Sequence, residues 1–112
     1  MYKRQRDDLL FALSLCRTAG ALVTGFDAVK ESVFKGKAQL VLCACDASPG
    51  TARRAQSFCQ DLCDFYTLPR TQAQLDPITK KPTAVFAVTN ADLAQLCRTK
   101  LESEATMKEE RP

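Results

Sequence analysis

The stretch that decides the fold is AQLVLCACDASP, residues 38–49. Ala38 to Cys45 is apolar except for Gln39. Such a run is long enough for a strand covered on both faces and too short for a helix. Asp46-Ala47 then offers a turn. Ser48-Pro49 offers a helix start, because a Ser oxygen accepts from a first-turn N–H and Pro lacks the N–H that would go unpaired there. A doubly buried strand running straight into a helix predicts helices on both sides of a sheet.

The flanking sequence extends that pattern. Residues 5–18 (QRDDLLFALSLCRT) set Leu9, Leu10, Leu13 and Cys16 at helical spacing, widened by Phe11 and Leu15, and Ala19-Gly20 stops the helix. Ala21 to Thr24 is a short apolar strand. After Gly25, Phe26 to Lys35 reads as a helix with Phe26, Val29 and Val33 inward and Phe34 beside them. The helix opened by Ser48-Pro49 should reach about Cys63 through Ala52, Ala55, Phe58, Cys59 and Leu62. Phe65 to Leu68 is a third strand, and Thr71 to Leu75 one or two helical turns. Residues 76–82 (DPITKKP) are expected as a loop. Thr83 to Thr89 is a fourth strand, and Asn90 caps a last helix facing inward with Leu93, Leu96, Cys97 and Leu101. The expected fold is α/β: a three-layer α/β/α sandwich around a four-stranded mixed, mostly parallel sheet, since most connections contain a helix. One domain over residues 1–103 and a flexible charged tail over 104–112 are expected.

Composition narrows the function. The 112 residues contain no His, which removes Ser-His, Cys-His and His-metal chemistry together. The net charge is +3, but the last twelve residues hold four acids and two bases, so residues 1–100 carry +5. A modestly basic body suits a phosphate-bearing partner. The charged start MYKRQRDD reads as no secretory leader, and no apolar run is long enough to span a membrane. A cytoplasmic protein with reduced thiols is therefore expected. The six Cys include no CxxC pair, so they read as small core hydrophobes, with no metal and no cofactor expected. With no carboxylate pair set across strand ends and no Gly-rich phosphate motif, an enzyme is not expected.

Three segments compete as the functional site, since ligands gather at loops on one end of such a sheet. In Thr24-Gly25-Phe26-Asp27, a helix N-terminus offers free N–H groups and Gly25 removes the Cβ that would block close approach. The alternative is a tight turn with Asp27 balancing the helix dipole. In Asp46-Ala47-Ser48-Pro49, a phospho-acceptor or magnesium role for Asp46 lacks partner carboxylates, and a turn-forming Asp is the better reading. In the 76–82 loop, Lys80 and Lys81 braced by Pro77 and Pro82 suit a phosphate backbone, with a solvated turn as the alternative. Further cations cluster at Lys3, Arg4 and Arg6, at Lys35 and Lys37, and at Arg53-Arg54.

The order LSLCRTAGALVTGFDAV, KGKAQLVLCACDASPGTARR, FCQDLCDFYTLP and KKPTAVFAVTNADLAQL, over about residues 8–100, resembles the YlxQ-type bacterial members of the kink-turn RNA-binding ribosomal protein family (L-seven-Ae and L-thirty-e-like). The resemblance implies an L-thirty-e-like fold and binding of kink-turns, RNA bends flanked by tandem sheared G·A pairs. The family's Gly-x-Asn-Glu-x-x-Lys turn aligns with Gly25-Phe26-Asp27-Ala28-Val29-Lys30-Glu31. Gly25 matches, Asp27 stands at the Asn, Ala28 at the Glu, and Glu31 at the Lys with Lys30 adjacent. Ser48 matches a polar contact position, and Lys81-Pro82 the basic-Pro end of the loop on the flipped-out nucleotide. The resemblance thus implies an RNA site of Thr24, Gly25, Asp27, Lys30, Ser48, Lys80, Lys81 and Pro82. The expected function is a non-enzymatic, ribosomal or translation-associated protein that binds structured RNA (ribosomal RNA or another kink-turn RNA), not DNA or membrane, as a monomer. The alternative, favoured by Ala28, Glu31 and the aromatic Phe26 at the functional edge, is a protein-interaction module on the same fold.

Overall fold

The computed structural model describes residues 7–60, 62–80 and 83–110. Nine elements follow in order: α1 (Asp8–Thr18), β1 (Leu22–Thr24), α2 (Phe26–Phe34), β2 (Leu40–Ala44), α3 (Pro49–Cys59), β3 (Asp64–Leu68), α4 (Gln72–Thr79), β4 (Val85–Val88) and α5 (Ala91–Glu110). They form the expected α/β/α sandwich around a four-stranded mixed sheet in the order β1-β4-β2-β3.

Burial follows strand alternation. Leu40, Leu42 and Ala44 of β2, with Phe86 and Val88 of β4, face α1, α4 and α5 through Leu9, Leu13, Leu75, Ala94 and Cys97. Val41 and Cys43, with Val85 and Ala87, face α2 and α3 through Val29, Val33, Ala55 and Cys59. All residues of β2 and β4 are buried, so the 38–45 run is a central strand as its composition requires.

The expectation of a mostly parallel sheet needs correction. β1, β2 and β3 share a direction, as their helical crossovers demand, and β2 pairs with β3 in parallel. But β4 runs the other way and sits between β1 and β2, so both of its pairings are antiparallel. The cause lies in α4. Residues 76–79 are helical, not a loop, with Pro77 inside α4. Thr71 and Gln74 form a reciprocal cap that starts this helix. A helix of eight residues spans only about 12 Å, and β4 lies two strand spacings, about 10 Å, from β3. The connection therefore crosses the end of the sheet and enters β4 from there instead of returning along its length.

Other boundaries shift for local reasons. α3 stops at Cys59, where Gln60 takes a positive φ of 26°, so Leu62 falls outside the helix and is exposed. Phe11, Leu15 and Phe34 are exposed rather than part of the buried stripes. Cys16, Cys43, Cys59 and Cys97 are core residues, but Cys63 is half-buried and Cys45 is exposed, against the reading of all six as core. Burial pushes the Cys59 thiol up to about 12. α5 does not end near Glu104 but continues to Glu110, and no helix among the described residues is long and apolar enough to cross a membrane.

Glu104 is held by Arg70. The Arg70 Nε and Nη2 donate to Asp7 at 2.9 Å, and Nη1 and Nη2 donate to Glu104 at 3.1 and 2.7 Å. Asp7 also caps α1 by accepting from the Leu10 N–H, and the Arg70 carbonyl accepts from the Cys45 N–H at 3.0 Å. One guanidinium, only 14% exposed, thus joins α1, α5 and the end of the sheet.

Two outcomes follow. Arg70→Met should cost on the order of 2 kcal/mol at neutral pH, since hydrogen bonds to charged groups exceed neutral ones while partial exposure screens them. Arg70 holds the Asp7 carboxyl below its ordinary value. A depressed carboxylate stabilises the fold above the ordinary value near 3.9 and loses that contribution as pH falls through the folded value. Thermal melts from pH 7 to about pH 2.5 should show the wild type and Arg70→Met converging at the acid end; a gap that stays constant would contradict the account. Separately, Gly25 has φ 100° and ψ 143°, a region closed to L side chains, yet nothing lies within 4 Å of an added Cβ. Gly25→Ala and Gly25→Ser should each destabilise by about 1–3 kcal/mol through backbone strain alone, and a neutral Ala in the same melts would contradict that.

Candidate functional site

The reversed β4 gathers four connections at one end of the sheet. The Gly25 N–H donates to the Val85 carbonyl at 3.0 Å, fixing the β1–α2 turn against the start of β4. The Ala44 N–H donates to Ala84 at 2.8 Å, placing the end of β2 on the same segment. The Asp46 carboxylate accepts from the Gln72 N–H at 3.0 Å, tying the β2–α3 turn to α4. Asp46 is therefore a turn-forming residue, as its isolation from other carboxylates implied. Thr89 lies at the opposite end, bonded through its N–H to Ala21 at 2.9 Å.

The helices that start here are not equivalent. Ser48 caps α3 and Thr71 caps α4. Asp7, held by Arg70 at this same end, caps α1, and at the opposite end Asn90 accepts from the Leu93 N–H of α5 at 3.0 Å. α2 begins at Gly25 with no side-chain cap, so among the described residues it alone leaves its first-turn N–H groups without an internal acceptor from a capping side chain. Its first internal bond runs from the Val29 N–H to the Gly25 carbonyl. Nothing lies within 4 Å of where a Cβ on Gly25 would sit, so no side chain crowds the turn there, and the helix dipole adds a partial positive charge.

The expected site residues divide accordingly. Thr24, half-buried, closes β1 opposite Phe86. Gly25, Asp27 and Lys30 occupy the turn and the first turns of α2, with both charged side chains exposed. Ser48 shares this end, but its hydroxyl is engaged within α3, accepting from the Thr51 N–H and donating to the Thr51 hydroxyl at 2.9 Å. Glu31 is paired with Lys35 at 3.1 Å along an exposed helix face. Lys80 ends α4 in the left-handed conformation, φ 70°, where glycine is favoured. A cation therefore stands at a position that local energetics would give to Gly. Lys81 and Pro82, like Lys3, Arg4 and Arg6, lie outside the described residues.

The arrangement can bind an anion through backbone donors and flanking lysines; among the described residues, no three Cys, Asp or Glu side chains group into a metal site. Sequence reasoning singled out neither Arg70, which braces this end, nor the exposed ring of Phe34. Arg70 carried no signal, because its carboxylate partners lie 63 and 34 residues away.

No family model matches the chain, and no curated protein is similar to it in sequence. Solved structures are similar in fold. A Bacillus halodurans protein of unknown function superposes with a TM-score of 0.79 at 22% identity, covering 87% of this chain and 99% of that one. The Giardia lamblia 15.5kD RNA binding protein superposes with a TM-score of 0.71 at 19% identity, covering 91% of this chain and 90% of that one. The chain therefore has the mixed α/β fold of that RNA-binding protein.

Proposed function

We propose that this chain is a non-enzymatic RNA-binding protein that recognises a kink-turn or similarly bent RNA in the ribosome or translation machinery of the cytoplasm, in the manner of the YlxQ-type proteins it resembles. The observation that carries the reading is the uncapped start of α2, set beside the connection that delivers Lys80 to β4. Likeness of fold to an RNA-binding protein supports it.

In this reading the N–H groups at the α2 start and Lys30 meet phosphates, while the Asp27 carboxylate accepts from a guanine amino edge. Lys80 meets the flanking strand, together with Lys81 and Pro82. Ala28 offers no polar group and Glu31 is neutralised by Lys35, so one base contact replaces the family's set. One good base contact is worth about 1–3 kcal/mol, whereas phosphate contacts carry affinity that falls steeply with salt. Those same two residues favour the second reading, a protein-interaction module, should RNA not bind.

Gel-shift titrations against a kink-turn RNA and a control with its G·A pairs mutated should show about a tenfold preference for the kink-turn. Both complexes should weaken sharply from about 50 to 200 mM salt. Equal affinity for the two RNAs would refute kink-turn recognition, and no binding at about 50 mM salt would refute an RNA role. Lys80→Gly should raise stability by up to about 1 kcal/mol by relieving the left-handed backbone, yet weaken RNA binding and flatten the salt slope by about one. If stability and binding rise or fall together, Lys80 is not held there for a ligand.

A further inference from the structure

The outer surface between α2 and α3 carries an open cleft of about 680 Å³ that the contacts above touch only through Lys30. Its principal lining is Phe26, Lys30, Phe34, Arg54, Phe58 and Leu62. The Phe58 ring meets Phe26 edge-on at 5.4 Å and Phe34 tilted at 6.3 Å, so three rings form a braced ledge. The Arg54 guanidinium lies 4.9 Å over Phe26. Phe34 and Leu62 remain 60% and 59% exposed, which forgoes the stabilisation their burial would bring.

Two features say what covers this ledge. Among the described residues, its lining holds two cations, Lys30 and Arg54, which suit an anionic partner. Aromatic rings interleaved with cations are what single-stranded nucleic acid needs: a π-face for each base and a positive group for each phosphate. The cleft is also continuous with the interface, because Phe26 is the first residue of α2 and Lys30 borders both. Its volume falls in the range that accommodates a small organic group.

We propose that this cleft is a base-stacking subsite for the single-stranded RNA that flanks the element held at the α2 start. A flanking base stacks on Phe34, and the adjacent phosphates reach Lys30 and Arg54. The inference rests on the RNA-binding reading above and extends it from folded RNA to a specific single-stranded neighbour.

Fluorescence anisotropy on the full chain tests it with three probes. These are a blunt kink-turn RNA, the same RNA with a four-nucleotide single-stranded extension at each end in turn, and the single strand alone. A 2-aminopurine in the extension reports stacking. The wild type should bind one extended RNA about tenfold more tightly than the blunt one, with quenching of the 2-aminopurine. Phe34→Ala should abolish the gain and the quenching, and Arg54→Gln should reduce the gain. Phe34→Ala should leave blunt-RNA affinity unchanged, and both exposed substitutions should retain the wild-type melt. An extension worth less than twofold at both ends, or a gain that survives Phe34→Ala, overturns the proposal while leaving kink-turn binding intact. If the blunt RNA is not bound, the single strand decides: binding lost on Phe34→Ala upholds the cleft, and no binding overturns it. A photoreactive side chain at position 34 that crosslinks to polypeptide, with no gain from either extension, assigns the ledge to a protein and likewise overturns the proposal.

Discussion

The antiparallel insertion of β4 between β1 and β2 is the constraint on which the remaining structure depends. Three strands run one way because helices connect them, and their exits lie at one end of the sheet. Had β4 run with them, its start would lie at the far end, and the connection carrying Lys80 would never meet the β1–α2 turn. Because β4 is reversed, its first residues bond directly to Gly25 and Ala44. The same strand supplies Phe86 and Val88 to one core and Val85 and Ala87 to the other, so it cannot shift register without turning both cores inside out.

That end of the sheet combines rigidity with deliberate incompleteness. Arg70 fastens it to α1 and α5 through two carboxylates, and Asp46 fastens α4 to the β2–α3 turn. Among the described residues α2 alone begins without a capping side chain, and Lys80 holds a backbone conformation better suited to glycine. Both features forgo local stability of the order a cap or a relaxed backbone provides. Rigid surroundings make such sites useful, since donors fixed before binding lose little further entropy when a ligand arrives.

Much of this was legible in the residues. The run at 38–45, apolar but for Gln39, announced a strand buried on both faces, and Ser48-Pro49 announced the helix after it. Gly25 announced a turn with special backbone geometry. The reversal of β4 was not legible, because it depends on where a short helix lands rather than on strand composition, and Pro77 disguised that helix as a loop. The Arg70 clamp was hidden by sequence separation. Phe34 was misplaced because α2 exposes a ring that helical periodicity set beside the core, and Leu62 because α3 ended early at Gln60. Those two exposed side chains border the aromatic ledge on the surface.

On the proposed function, the open α2 N-terminus and the connection into β4 act as one RNA-binding surface. Amide chemical shifts of isotope-labelled protein titrated with kink-turn RNA test it most directly. The N–H signals of Phe26, Asp27 and Ala28 should move together with those of Lys80, Thr83 and Ala84, at one common midpoint. The signals of Thr89, Gly36 and Gln39, at the opposite end of the sheet, should stay in place. Perturbations confined to that opposite end, or to the exposed faces of α1 and α5, would contradict it.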